Sequence, residues 1–217
     1  MKVDFFFSYR SPYSYLVLPR MLKLKEEHTI NIQFKLVYPL AIRQPEFFKG
    51  KNFFSFFLHK TFDIKSKARK LNLPFYSPKP DPIQQSYITG KINKEQPYIF
   101  DICHLGMVAE FHNKGIEFAH QVSHLIFGTK SGWNDESNLR RAAENVGLDF
   151  NVMKQEVADN EDAIVKAIKT NQRLQEQAGH HGVPLMVYKD KTFFGQDKFD
   201  EFKELLLQKG MQRRWIH

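Results

Sequence analysis

An apolar run from Val3 to Phe7 stops at Ser11-Pro12, a helical pattern follows through Leu16, Leu18, Met21, Leu22 and Leu24, and apolar and polar residues then alternate from Ile30 to Tyr38. This succession constrains the fold more than any other feature of the chain. The short apolar run reads as a buried strand, Pro12 to about Glu27 as a helix, and the alternating stretch as a half-buried strand. Strand, helix and strand joined by a crossover of that length predict a right-handed parallel βαβ unit. Pro19 lies inside the helical stretch, where it removes a backbone donor and is expected to kink it.

The junction at Ser11-Pro12 has two readings. Ser is a favoured helix cap and Pro a favoured first helical residue, so the pair has a purely local use. The same position puts a hydroxyl beside free amide N–H groups and the positive end of the helix dipole, where an anion is stabilised.

Strand character returns only near the end of the chain, at Pro184 to Tyr188 and Thr192 to Phe194, joined by a turn at Lys189-Asp190-Lys191. Gly195, Gln196 and Asp197 then open an amphipathic closing helix with Phe199, Phe202, Leu205 and Leu206. Between Pro45 and about Gly179 the pattern is helical: Phe47 to Leu71, Ile99 to Phe111, Ile116 to Phe127, Asn138 to Val146, Phe150 to Val157 and Ala163 to Ala178. Gly115, Gly128, Gly147 and Gly179 punctuate their ends, and Asp135 and Asp159 suit helix starts. Tyr76 to Pro97, with Pro78, Pro80 and Pro82, reads as a long loop. The expected fold class is therefore α/β, a βαβ–ββα layer interrupted by a large all-α insertion. The expected domains are 1–44 with 180–217 for the α/β layer and 45–179 for the helical one.

A chain of 217 residues can bury a core without staples. Cys103 is its only cysteine, which excludes an internal disulfide, a Cys-x-x-Cys redox pair and a cysteine-rich zinc site and points to the cytoplasm. No stretch reads as a secretory signal or a membrane span. The formal charge is +8, but Lys and Arg are scattered among acidic residues, which argues against nucleic acid and fits the attraction of a small anion. Of 21 Phe residues, Phe47, Phe48, Phe53, Phe54, Phe56, Phe57 and Phe62 concentrate in one stretch, as a core helix or as the wall of a pocket for an aromatic compound. His120 and His124 are one helical turn apart but have no His-Glu-x-x-His context, so no metal site is expected. His180-His181 reads as a loop pair with room for a substrate contact, and Arg213 and Arg214 as a solvated tail.

The element order is that of thioredoxin with a helical domain inserted. Ser11 stands where that fold carries its active group, Pro19 where thioredoxins have a helix-kinking proline, and Val183-Pro184 where the fold places its cis-proline. More narrowly, Phe7-Ser8-Tyr9-Arg10-Ser11-Pro12-Tyr13-Ser14-Tyr15-Leu16, Gly182-Val183-Pro184 and Phe194-Gly195-Gln196-Asp197-Lys198 resemble the 2-hydroxychromene-2-carboxylate isomerases. They also resemble the related kappa-class glutathione transferases, in the DsbA-like branch of the thioredoxin superfamily. The resemblance covers nearly the whole chain, including Trp133 and Gly147-Leu148-Asp149.

What this resemblance implies is a glutathione site. The family's Ser, which hydrogen-bonds the glutathione sulfur, maps to Ser11. Val183, before Pro184, would pair its backbone with the cysteinyl part like an added strand. Gln196, Asp197 and Lys198 would hold the γ-glutamyl group, with helix-end amides suited to its carboxylate and Asp197 to its ammonium; without the resemblance these residues read equally as a helix cap. The chain also departs from the family. Phe56 and His59 stand where a Lys and a Tyr usually precede the Asp that matches Asp63. Lys60 is the nearby substitute, or else a surface lysine. Arg43 stands at a glutathione-contacting Asn, and Ser8 and Lys198 replace the commoner Asp and Arg, Lys lacking the planar fork of Arg.

The resemblance implies an enzyme in which Ser11 and the helix dipole stabilise the glutathione thiolate, which adds reversibly to a conjugated aromatic substrate as an isomerase. The alternatives are a kappa-type transferase acting on electrophiles and a non-catalytic DsbA-like binding protein. Disulfide exchange needs an attacking sulfur at the site, and Cys103, amid Ile102, Leu105 and Met107, reads as a buried apolar residue. Relatives imply a homodimer.

Overall fold

Strand β1, Lys2–Phe7, is the axis of the molecule. The structure is a computed structural model describing residues 1–44, 53–86 and 91–214, with side chains described outside 53–59. Helix α1, Pro12–Glu27, leads to β2, Asn31–Leu36, which pairs parallel to β1 with Phe5 opposite Phe34. Strand β3, Leu185–Tyr188, lies antiparallel on the other side of β1, and β4, Lys191–Phe194, pairs antiparallel with β3. The sheet order is β2-β1-β3-β4, so the two ends of the chain build one mixed sheet around β1. Such a central strand is covered on both faces, which is why Phe5, Phe6 and Phe7 form an unbroken apolar run. Phe5 and Phe7 belong to the main core, whereas Phe6 points to the other face with Val37, Leu185 and Val187.

The intervening helices are α2, Leu40–Arg43; α3, Phe53–Lys70; α4, Ile99–Phe111; α5, Gly115–Ser123; α6, Glu136–Glu144; α7, Phe150–Asp159; and α8, Glu161–Gln177. Helix α9, Phe199–Gln208, closes the chain after a 3-10 turn at Gln196–Lys198. Helices α4 and α8 pack against β2, and one continuous apolar cluster runs from β1 through α1 into α4, α5 and α8. Helix α4 is apolar almost all round, the pattern of a helix buried on every side. No helix among the described residues is long and apolar enough to cross a membrane.

Several expectations are corrected in detail. The segment expected as one helix to Phe127 changes at His124–Gly128 to a π-helical turn, whose wider winding brings His124 against Gly128. Gly115 opens α5 rather than ending α4, and Asp159 ends α7 while Asn160 precedes α8. Arg213 and Arg214 are exposed, as a solvated tail is, but tethered: Arg213 bridges to His28, and the Arg214 side chain donates to the His28 carbonyl at 2.9 Å. Phe62 is 72% exposed and so packs in no core, while most of the Phe-rich stretch before it lies outside the described side chains. Among the described residues no cluster of His, Cys, Asp and Glu could hold a metal, His120 and His124 included.

Candidate active site

The turn between β1 and α1 closes with the Ser11 amide donating to the Ser8 carbonyl at 3.0 Å. Ser11 has extended backbone geometry and Pro12 takes the first helical position, so the chain enters the helix with a side chain free to cap it. The Ser11 hydroxyl accepts from the Ser14 amide at 3.2 Å and donates to the Val183 carbonyl at 3.3 Å. The second bond joins residues 172 positions apart, bringing the helix N-terminus against the loop that precedes β3. The Val183–Pro184 peptide is cis, as is Lys79–Pro80.

Ser11 and Val183 open onto a cavity of about 320 Å³. Its apolar wall includes Ala41, Ile64, Phe75, Ile83 and Phe127. Phe75 and Phe127 are stacked, with centroids 6.0 Å apart and planes 12° from parallel. A cavity this size, mainly apolar with a few convergent polar groups, suits a small organic molecule.

Polar groups gather at its edge. Arg10 grips Asp81 through two short bonds of 2.5 and 2.6 Å, tying the turn before Ser11 to the proline-rich loop 76–86. Asp81 also accepts from the Ile83 amide, and the adjacent Pro80 carbonyl accepts from buried Trp133. The loop is thus held from both the sheet side and the helical side. Arg43, at the end of α2, donates to the carbonyls of Tyr38 and His181, both at 2.8 Å, and so fixes the loop leading to Val183. Burial lowers the Arg43 pKa, partly offset by Glu176.

A second polar group extends from Tyr13. Its hydroxyl donates to Asp63 at 2.6 Å, and Lys67 donates to Asp197 at 2.6 Å and lies 3.3 Å from Asp63. Burial and the Asp63 bond push the Tyr13 hydroxyl well above its usual pKa, while the same bond, with help from Lys67, lowers that of Asp63. Burial works against the Lys67 charge, but its bonds to Asp197 and Asp63 outweigh this and its pKa is raised.

Among the residues expected from sequence, Ser11, Lys60 and Val183 line the cavity, and Pro184 is buried beside it. Lys60 also lies 5.4 Å over the Tyr13 ring. Gln196, Asp197 and Lys198 are not part of its wall. Gln196 is buried with its carboxamide held by Arg20 at 2.5 Å and bonded to Asp197, and Lys198 turns outward to Glu201 at 2.6 Å. Lys67 links Asp197 to Asp63, which in turn holds the Tyr13 hydroxyl at the cavity wall. Phe56 and His59 lie outside the described side chains. Cys103 is fully buried in α4, and burial pushes its thiol pKa up.

The reading from sequence missed Lys67, Asp81 and the Phe75–Phe127 stack. Lys67 carried a signal, its four-residue spacing from Asp63 on a helix. Asp81 carried none, because an ion pair across 71 positions leaves no local pattern.

The DsbA-like thioredoxin domain model matches residues 2–207, and the chain belongs to that family. None of the curated proteins compared with the chain matches it. Among solved structures, a 2-hydroxychromene-2-carboxylate isomerase is similar with a TM-score of 0.70 and 18% identity, over 96% of this chain and 95% of the other. A probable DsbA oxidoreductase from Streptomyces coelicolor has a TM-score of 0.66 and 16% identity, over 100% and 94%. The cytosolic disulfide reductase DsbM from Pseudomonas aeruginosa, solved with GSH, has a TM-score of 0.57 and 11% identity, over 96% and 100%. At these identities the likeness is one of fold.

Proposed function

We propose that this chain is a glutathione-dependent isomerase of the 2-hydroxychromene-2-carboxylate isomerase type. The observation that carries the proposal is the Ser11 hydroxyl, set at the N-terminus of α1 against the Val183 carbonyl and opening onto an apolar cavity. This position in the fold holds an oxygen, and the chain's one sulfhydryl is buried in α4, so a sulfur nucleophile has to arrive with a ligand. Glutathione, when bound, supplies a thiolate able to add to a conjugated double bond and leave again.

The residues present fit such a group. Rotation of the Ser11 hydroxyl away from Val183 would let it donate to a thiolate, and the α1 dipole favours negative charge there. The Val183 carbonyl stands at the edge where an extended peptide would pair by its backbone. Lys67 and Asp197 form an exposed pair of opposite charges, complementary to an α-amino acid head that carries one charge of each sign. Tyr13 connects that pair to the cavity, since its ring lines the wall while its hydroxyl holds Asp63. Phe75, Phe127 and Ile83 exclude water around the conjugated substrate, which strengthens every electrostatic contact made inside.

Calorimetric titration with glutathione tests the reading. Saturable binding that weakens in Lys67→Ala and Asp197→Ala supports it, and no heat at millimolar glutathione contradicts it.

A further inference from the structure

Phe194 ends the edge strand β4 with 49% of its surface exposed, and its ring is part of the cavity wall. A single half-exposed ring is ordinary on a protein surface, and Phe111 is as exposed; what sets Phe194 apart is its place at the lip of the cavity. Its surroundings are built to hold it there. The His180 ring lies against it with centroids 3.9 Å apart and planes 30° from parallel. Both rings sit directly on Gly182: a Cβ at that position would lie 2.5 Å from the Phe194 ring and 2.9 Å from His180. Gly182 is held in turn, its amide donating to His180 Nδ1 at 2.8 Å and its carbonyl accepting from the buried Gln175 at 2.7 Å. The first of these bonds makes Nδ1 an acceptor that carries no proton, and burial lowers the His180 pKa against the Gly182 bond, which raises it.

We propose that Phe194, backed by His180 over Gly182, is the platform on which a planar ring of the small-molecule ligand stacks at the cavity mouth, and that it sets the preference for aromatic over saturated ligands. The assignment deepens the reading of the cavity as the substrate site, and it holds whether or not glutathione binds. Stacking on a fixed ring is worth about 0.5–1.5 kcal/mol beyond area burial, or roughly two- to ten-fold in affinity. A saturated ring of the same skeleton buries similar area and lacks that increment.

The test is calorimetric titration of the full chain, without glutathione, using 2-naphthol and its saturated counterpart decahydro-2-naphthol. The expected result is tighter binding of 2-naphthol by the native chain, a loss of about five-fold in that preference in Phe194→Leu, and its retention in Phe194→Tyr. Gly182→Ala, which displaces the stack, is expected to behave like Phe194→Leu. An unchanged preference in Phe194→Leu, absence of any preference in the native chain, or failure of 2-naphthol to bind overturns the proposal. Because Phe194 is half-exposed, the Leu variant is expected to melt near the native temperature, which separates lost stacking from lost structure.

Discussion

Removing the charge of Asp81 while keeping its shape isolates what the Arg10–Asp81 pair contributes. The Asp81 side chain is 7% exposed and that of Arg10 19%, and both nitrogens of the guanidinium fork are engaged. Stranding one partner of a buried pair costs about 3–5 kcal/mol; partial hydration of Arg10 places the expected cost of Asp81→Asn or Arg10→Met nearer about 2–3 kcal/mol. Asn at 81 can still accept from the Ile83 amide, so the loss is electrostatic and not a broken turn. The double variant removes both charges and is expected to cost less than the sum, with a coupling of about 2 kcal/mol. Urea unfolding followed by circular dichroism reads each value, with an unchanged slope indicating the same surface exposed. Lys198 and Glu201, 54% and 59% exposed, are the internal control, with a coupling expected below about 0.5 kcal/mol. A coupling for Arg10–Asp81 as small as the control's would refute the view that this pair fastens the cavity wall.

Tyr9 is fully buried and its hydroxyl has no partner among the described residues, so Tyr9→Phe is expected to be neutral or stabilising in thermal melts. Gly106→Ala would put a methyl 2.5 Å from that hydroxyl, an overpacking expected to cost about 1–3 kcal/mol, and less when combined with Tyr9→Phe. Glu110 has its pKa pushed up to about 7, by burial first, against the pull of Lys25 and Lys35 and with the push of Glu117. Its charged form is the disfavoured one in the fold, so this group lowers stability as pH rises from the ordinary carboxyl pKa to about 7, the unfolded chain releasing its proton first. Glu110→Gln is expected to flatten that part of the stability profile, and an unchanged profile would assign the dependence to another group.

How much of the fold was legible depends on where the signal lies. Helix α1 was read to its end residues because Ser11-Pro12 starts it and its apolar spacing is local. Helix α4 was read to the residue for a different reason, a solid apolar block between polar ends. The π-helical turn at His124–Gly128 was missed, since the apolar pattern of Leu125, Ile126 and Phe127 is the same for either winding. The site divides in the same way. Ser11 and Val183 are legible because helix start and strand start are local signals. The Arg10–Asp81 and Lys67–Asp197 pairs are made by tertiary packing across 71 and 130 positions of chain, and no local pattern announces either pairing, the spacing of Lys67 pointing only to Asp63. The final turn shows the limit most plainly. The resemblance implies a ligand-facing Gln196, where the residues alone read equally as a helix cap, and its carboxamide is bonded to Arg20 and Asp197.

The measurement that tests the central claim most directly is the ultraviolet absorbance of the thiolate of bound glutathione, titrated against pH in the native chain and in Ser11→Ala. The account predicts a thiolate present at neutral pH in the native complex and a titration moved to higher pH in the variant. Loss of the cap should cost only about 1 kcal/mol of stability, so the variant remains folded. Superimposable titrations of the two complexes would contradict the role given to Ser11.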